Sequence, residues 1–188
     1  MNFLGHLYFS NNDLTIMNAN LFGDFVKGSD LSKFPEIVKQ GIILHRKIDY
    51  FIDNHSAVID LRHKINPELP KVSSIAIDLF FDYFLAKKWD NFHEVSLSNF
   101  ILEFSNFEDH NDSFYSKEFK FVRSKMIQQN WLLNYRKLAG LDFACRGLSR
   151  RISFENHLKF GVNVLLNNYE EVENAFEIFM QDARKIFY

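Results

Sequence analysis

The feature that most constrains the fold is how seldom helix-breaking residues interrupt the chain. Only three prolines and seven glycines are spread over 188 residues. Because these two residues end helices most effectively, their scarcity predicts long helices. No stretch shows the alternation of apolar and polar residues that is typical of a half-buried strand. The sequence therefore predicts an all-α protein.

Apolar residues recur at helical spacing in several segments. One predicted helix covers 36–54, directly after Pro35, and a second covers about 72–88. The segment 66–70, which contains two prolines, separates them as a loop. Further helices are predicted at about 96–107, 119–138, 142–150 and 154–187. Since no linker or repeat divides these segments, we expect one compact domain, residues 1–188, of about six to eight helices.

Charge and cysteine content argue against several classes of protein. The formal net charge is −2, whereas non-specific nucleic-acid binders are usually basic, so no nucleic-acid partner is expected. The single cysteine cannot form an internal disulfide, which favours a reducing compartment. The N-terminal segment lacks the features of a signal peptide, and no apolar run reaches the ~18 residues of a membrane span. We therefore expect a soluble cytoplasmic protein without a membrane partner.

Histidines and aspartates stand within otherwise apolar helical segments. His45 with Asp49, and Asp78 with Asp82, are four residues apart, so each pair projects from one helix face. Two carboxylates at this spacing repel each other, and burial raises the cost unless a cation neutralises them. Mixed imidazole and carboxylate ligands suit manganese, iron or zinc, and a helical bundle can hold such a site between facing helices.

The same residues also have structural explanations, which the sequence leaves open. A lone histidine such as His6 is more often hydrogen-bonded than metal-bound. His45 and Asp49 fit a solvated helix face, or a local ion pair with Arg46 or Lys47, somewhat better than a ligand pair. For Asp78 and Asp82 the structural and functional explanations are evenly balanced. No glycine-rich phosphate loop, nucleophile elbow or paired-cysteine zinc motif is present. Spacing alone therefore supports a metal-site hypothesis and names no substrate.

Five short segments carry the pattern of a known family. They are NFLGHL at 2–7, NLFGDFVKG at 20–28, HRKID at 45–49, DNH at 53–55 and DLFFDYFL at 78–85. In this order they resemble bacterial acyl carrier protein phosphodiesterases, with weaker similarity at 131–135 and 148–151. Ala19 stands where the family pattern leads us to expect glycine, and Gly5 where alanine is common, but the polar positions are intact.

The resemblance implies a fold, a reaction and a cofactor. Members of this family are similar to the HD-type metal phosphohydrolases, which are all-helical. They hydrolyse the phosphodiester that joins 4'-phosphopantetheine to a serine of holo-acyl carrier protein, giving apo-carrier and free phosphopantetheine. The implied cofactor is a divalent cation, Mn²⁺ first, with Mg²⁺, Fe²⁺ or Zn²⁺ as alternatives.

Spacing and resemblance together give a candidate site. The predicted metal ligands are His6, Asp24, His45, Asp49, Asp78 and Asp82. The predicted catalytic residues are Asp24, His45, Arg46 and Asp82, and the Arg46 guanidinium matches the oxygens of a phosphate. Two alternatives stay open: a related enzyme that acts on a nucleotide or other small phosphoester, and a helical module that binds a carrier protein without chemistry.

The partner implied by the resemblance, holo-acyl carrier protein, is acidic. Its recruitment requires a basic surface near the site despite the net charge of −2. The candidates from the flanking segments are Lys27, Lys33, Lys39, Arg46, Lys47, Arg62, Lys64, Lys87 and Lys88. The sequence indicates no oligomeric state.

Overall fold

The computed structural model describes residues 1–188 and contains eleven α-helices, four short 3-10 helices and no β-strand. The α-helices are α1 (Phe3–Tyr8), α2 (Leu14–Phe22), α3 (Glu36–Asn54), α4 (Ser56–Ile65), α5 (Ser73–Lys87), α6 (Leu97–Asn106), α7 (Lys117–Gln128), α8 (Trp131–Asn134), α9 (Leu138–Arg151), α10 (Gly161–Asn167) and α11 (Tyr169–Phe187). The prediction of an all-α fold is confirmed, although the number of helices exceeds the predicted number.

Three of the additional helices, α1, α2 and α4, form where no helix was predicted, and the other two come from breaks inside predicted segments. The segment 119–138 is interrupted at Asn130, whose φ of 51° is left-handed and cannot continue a right-handed helix. Asparagine tolerates this conformation, so the apolar pattern alone does not reveal the break. The segment 154–187 is likewise divided, because Asn168 separates α10 from α11. Short turns thus divide two of the predicted long helices into shorter ones.

The predicted boundaries of the central helices agree well with the structure. Helix α3 begins at Glu36, directly after Pro35. Ser96 caps α6, and its side chain accepts a hydrogen bond from the Asn99 backbone N–H at 3.4 Å. These starts depend on local chemistry, which explains why they are visible in the sequence.

Helices α2 and α3 approach each other unusually closely. A Cβ added at Gly41 of α3 would lie 2.3 Å from the Ala19 Cβ of α2. A Cβ added at Gly23, just after α2, would lie 2.5 Å from the side chain of His45. Both positions therefore require glycine, and the close approach brings His45 against the 3-10 turn Gly23–Phe25, which carries Asp24.

Helix α5 lies in the centre of the aromatic core. Its Phe80, Phe81 and Phe84 are fully buried, and the Phe81 ring packs against Phe176 and Phe179 of α11. This explains why α5 is apolar on nearly every face. Even so, neither α5 nor any other helix combines the length and apolar character needed to cross a bilayer.

Candidate active site

Two histidines and two aspartates from three elements converge at one point. His6 comes from α1, Asp24 from the 3-10 turn after α2, and His45 and Asp49 from α3. One Asp49 oxygen lies 3.2 Å from His6 Nε2, and the other lies 3.1 Å from His45 Nε2. An Asp24 oxygen lies 3.5 Å from His45 Nε2. We call these four residues the histidine–aspartate group.

The group lies at the edge of a cavity of about 320 Å³. The imidazoles are almost completely buried, whereas the side chains of Asp24 and Asp49 are 60% and 45% exposed. The carboxylates therefore face solvent, and the two imidazoles lie beneath them in the protein interior. The polar residues that line the cavity include His6, Asp24, His45, Asp49, Asp53 and Asp78. A phosphate group that enters the cavity can thus reach the carboxylates and both imidazoles.

The buried side chain of Asn20 determines how His6 presents its ring. The Asn20 amide nitrogen donates to the His6 carbonyl at 2.9 Å and to Ser10 Oγ at 3.0 Å. The Asn20 carbonyl oxygen therefore faces His6 Nδ1, 3.0 Å away, and accepts its proton. Burial lowers the pKa of His6 and thereby favours the neutral ring, whose Nε2 lone pair points toward Asp49. A lone pair that faces a carboxylate oxygen is repulsive unless a cation lies between them.

His45 shows the same demand for positive charge. Burial disfavours its charged form, but hydrogen bonds with Asp24 and Asp49 outweigh burial and raise the pKa of His45 to about 9. Burial also opposes charge on Asp49, but hydrogen bonding with His45 outweighs burial and holds the pKa of Asp49 far below its ordinary value. The buried Nδ1 of His45 has no hydrogen-bond partner.

The histidine–aspartate group fits a divalent cation. Ligand atoms of His6, His45 and Asp49 all lie within 4.8 Å of one another. Without a metal, a proton on His45 partly compensates the two carboxylates. A cation bound between these side chains would replace that proton and relieve the repulsion between His6 and Asp49.

The two carboxylates of α5 have other partners. Asp82 is fully buried, and its oxygens accept hydrogen bonds from the backbone N–H groups of Leu4 at 2.7 Å and Gly5 at 3.1 Å. Burial raises the pKa of Asp82 to about 7. Asp82 therefore caps the first turn of α1 from the protein interior and does not line the cavity. Asp78 does line it, and one of its oxygens accepts a hydrogen bond from the Met1 amine at 2.9 Å.

Arg46 lies outside the cavity. Its guanidinium donates to the backbone carbonyls of Val26 at 3.3 Å and Gly28 at 2.6 Å. Consecutive residues on a helix point in different directions, so the rotation that places His45 in the cavity turns Arg46 away from it. In this structure Arg46 holds the 26–28 segment against α3.

Among the residues that support the group, sequence reasoning missed Asn20 and Ser10. Both are buried, and Ser10 Oγ donates to the His6 carbonyl at 2.8 Å. The available signal was a polar side chain between Ala19 and Leu21 on an apolar helix. Spacing arguments overlooked it because an amide is not a favoured ligand for these metals.

Known proteins are similar to this chain over most of its length. A sequence profile described as acyl carrier protein phosphodiesterase matches residues 1–183. The chain belongs to this family. A relative named acyl carrier protein phosphodiesterase, from Photorhabdus laumondii subsp. laumondii, is 31% identical over 95% of this chain and 87% of its own length. Relatives of the same name from Escherichia coli O6:H1 and Enterobacter sp. (strain 638) are 28% and 27% identical, each over 94% of this chain and 92% of their own length.

No solved structure matches the chain significantly. Family membership nevertheless makes this protein an enzyme, a phosphodiesterase of the hydrolase class. The four members of the histidine–aspartate group lie in the three N-terminal segments that carry the family resemblance, and Asp78 and Asp82 lie in the last of the five.

Proposed function

We propose that this phosphodiesterase releases 4'-phosphopantetheine from the serine of holo-acyl carrier protein and uses a divalent cation for the reaction. The observation that carries the proposal is the convergence of His6, His45 and Asp49, whose ligand atoms lie within 4.8 Å of one another beside a cavity. The names of the relatives supply the substrate class. The chemistry of the residues supplies the metal dependence.

The proposed ligands are His6, His45 and Asp49, with Asp24 at the solvent side. Imidazole and carboxylate donors without thiolates fit manganese first, and also iron, zinc or magnesium. When bound, such a cation polarises a phosphate oxygen and lowers the pKa of a coordinated water. Asn20 would keep His6 in the tautomer that leaves Nε2 free for the metal, since it accepts the Nδ1 proton.

Hydrolysis requires water to attack phosphorus while the bond from phosphorus to the serine oxygen breaks. One proton leaves the water and one proton joins the serine oxygen, so the products are apo-carrier and phosphopantetheine. Asp24 is the proposed acceptor of the water proton. Burial opposes charge on Asp24, but hydrogen bonding to His45 outweighs burial and lowers its pKa, which keeps the carboxylate in the charged form that a proton acceptor requires. Its exposed position also places it where water reaches the cavity.

The decisive experiment is mass spectrometry of holo-acyl carrier protein after incubation with the enzyme and Mn²⁺. We expect the carrier to lose the mass of phosphopantetheine. Chelation should stop the reaction and added Mn²⁺ should restore it, with metal content verified by elemental analysis. Full activity in verified metal-free enzyme would refute the metal dependence. Turnover of a nucleotide panel with an unchanged carrier would favour the small-phosphoester alternative.

A module that merely binds a carrier protein is a weaker explanation of this site. A docking surface has no need for two buried imidazoles that face charged carboxylates, since that arrangement costs stability. A cytoplasmic location belongs to the same proposal. The single thiol, Cys145, is buried and unpaired, as expected of a protein from a reducing compartment.

A further inference from the structure

Positive charge is concentrated in one part of this acidic chain. Residues 131–160, which include α8 and α9, contain six basic and two acidic side chains. The other residues contain 16 basic and 22 acidic side chains. The 131–160 segment is therefore a basic region on a protein whose remainder is acidic.

This basic region adjoins the cavity. Leu148 of α9 lines the cavity directly. The Trp131 ring of α8 stacks on Phe3, another lining residue, with 6.3 Å between ring centroids. Asn2, which also lines the cavity, donates a hydrogen bond to the Tyr135 hydroxyl at 3.2 Å. A partner whose flexible arm enters the cavity would therefore contact α8 and α9 with its body.

Two arginines at the end of α9 are exposed and have no hydrogen bond or ion pair within the chain: Arg150 and Arg151. Arg151 follows Leu148 by three residues, so the two side chains are neighbours on the helix surface. A helix C-terminus attracts basic residues by itself. The position beside the cavity, together with the free guanidinium groups, indicates a role beyond helix stabilisation.

A lysine and an aromatic side chain extend the same surface. Lys71 is exposed and precedes the first turn of α5, where Ser74 and Ile75 line the cavity. Its Nζ lies 5.8 Å from the centroid of the Phe154 ring, which is 44% exposed. Phe154 therefore adds apolar contact area next to the basic groups.

Several basic residues suggested by the sequence are already engaged within the chain. Lys64 and Lys88 form ion pairs with glutamates of α11, and Lys39 pairs with Glu36. Lys87 donates to the Tyr169 hydroxyl at 2.7 Å. Arg46 is held by backbone carbonyls, as described above. These side chains are less available to a partner than Arg150 and Arg151.

We propose that Arg150, Arg151 and Lys71, with the Phe154 ring, form the surface on which the acidic carrier protein docks while its phosphopantetheine reaches the histidine–aspartate group. We call these four residues the α9 basic surface. The proposal rests on the proposed function, which names the carrier as substrate. Charge complementarity at such a surface accelerates association and weakens with salt, whereas the cavity supplies the chemistry.

The test compares two double variants that each remove two positive charges. Arg150→Ala/Arg151→Ala changes the α9 basic surface. Lys117→Ala/Lys125→Ala changes two lysines of α7 that form no ion pair and do not line the cavity. For each enzyme, KM and kcat are measured with holo-carrier, kcat/KM with bis(4-nitrophenyl) phosphate, and Kd with apo-carrier across a salt series.

We expect the arginine variant to raise KM and the apo-carrier Kd about fivefold to tenfold at low salt, with a smaller dependence on salt. Its kcat and its activity on the small diester should stay within about twofold of the wild type, because the reacting residues are untouched. The lysine variant should match the wild type in every measurement. Equal loss in the two variants, or an equal loss on the small diester, would overturn the proposed surface.

The same measurements separate the two proposals. If the wild type releases phosphopantetheine and the arginine variant has the same KM for holo-carrier, the α9 basic surface alone is refuted. Arginine-dependent binding of apo-carrier without any release of phosphopantetheine would support the surface and refute the proposed function. A wild-type enzyme that neither binds nor hydrolyses the carrier would refute both.

Discussion

The histidine–aspartate group and the α5 residue Asp82 both bring carboxylates against buried parts of the protein, but these carboxylates have different partners. Hydrogen bonding with His45 keeps Asp49 charged and its pKa low, and the neutral His6 leaves a lone pair facing it. Asp82 has only backbone amides and a nearby amine as partners, so burial prevails and its pKa rises to about 7. The hydrogen bonds of Asp82 are complete, whereas those of the group are not.

Under the proposed function, this difference means that a buried carboxylate does not by itself identify a metal ligand. The informative feature is a donor atom that the protein leaves without a suitable partner, such as the Nε2 of neutral His6. The comparison predicts that variants of the group lose activity while they stay folded. A variant of Asp82 should lose stability instead.

The largest effect should follow from Asp49→Asn. This change removes the charge that contacts both imidazoles and should lower kcat with holo-carrier by about 10³-fold, since stabilisation by a bound metal contributes several kcal/mol. Asp53→Asn is the matched control, because Asp53 lies one turn further along α3 and also lines the cavity. Its activity should stay within about threefold of the wild type. If kcat falls equally in both variants, Asp49 is no more important for the reaction than other carboxylates that line the cavity.

Asp82→Ala should lower the free energy of unfolding by about 2–4 kcal/mol, because two buried N–H groups at the start of α1 lose their acceptor. Like-charge repulsion with Asp78 would predict the opposite sign. Urea denaturation measures the effect, and Asp82→Asn, which keeps one acceptor oxygen, should lose about half as much. Unchanged stability of the alanine variant would refute the capping role and restore Asp82 as a candidate ligand.

Asn20→Ala should weaken Mn²⁺ binding by about 10- to 100-fold, the usual range for residues that orient a metal ligand. Competition with a chelator gives the Kd, and ¹⁵N chemical shifts should show the proton of His6 no longer confined to Nδ1. Asn18→Ala is the control, since Asn18 is also buried on α2 but bonds to Asp109 and Arg123. If the two variants bind Mn²⁺ equally well, Asn20 does not position His6.

The smallest effect concerns pH. His45 has an ordinary pKa of 6.5, which is raised to about 9 in the fold. In protein freed of metal by a chelator, the protonated His45 ring therefore stabilises the fold fully below about pH 6.5. This contribution is lost as pH rises through about 9. Because Asp24 and Asp49 are partly exposed, we expect a loss of about 1–2 kcal/mol.

Urea denaturation of the metal-free enzyme measures this loss. The series runs from about pH 6.5 to about pH 9.5, a range that spans both pKa values. His45→Gln should abolish most of the slope, because glutamine does not titrate. A slope that persists in this variant would assign the dependence to another group.

The all-α class, the main helices and the pairing of His45 with Asp49 were predictable from the sequence. Helical periodicity, capping residues and four-residue spacing act within one segment, so they are readable without knowledge of neighbouring helices. The family resemblance is likewise a property of segments. The left-handed turn at Asn130 and the interruption at Asn168 were not predictable from periodicity.

The tertiary structure decided which polar side chains meet. The four-residue spacing is the same for Asp78 with Asp82 as for His45 with Asp49. In the fold, however, Asp82 bonds to the start of α1, whereas Asp49 contacts His6. That outcome depends on the distance and rotation between helices, which the close contact of Gly41 with Ala19 helps to determine. Contacts between segments distant in sequence arise from packing of whole helix surfaces, and no short pattern of residues contains that information.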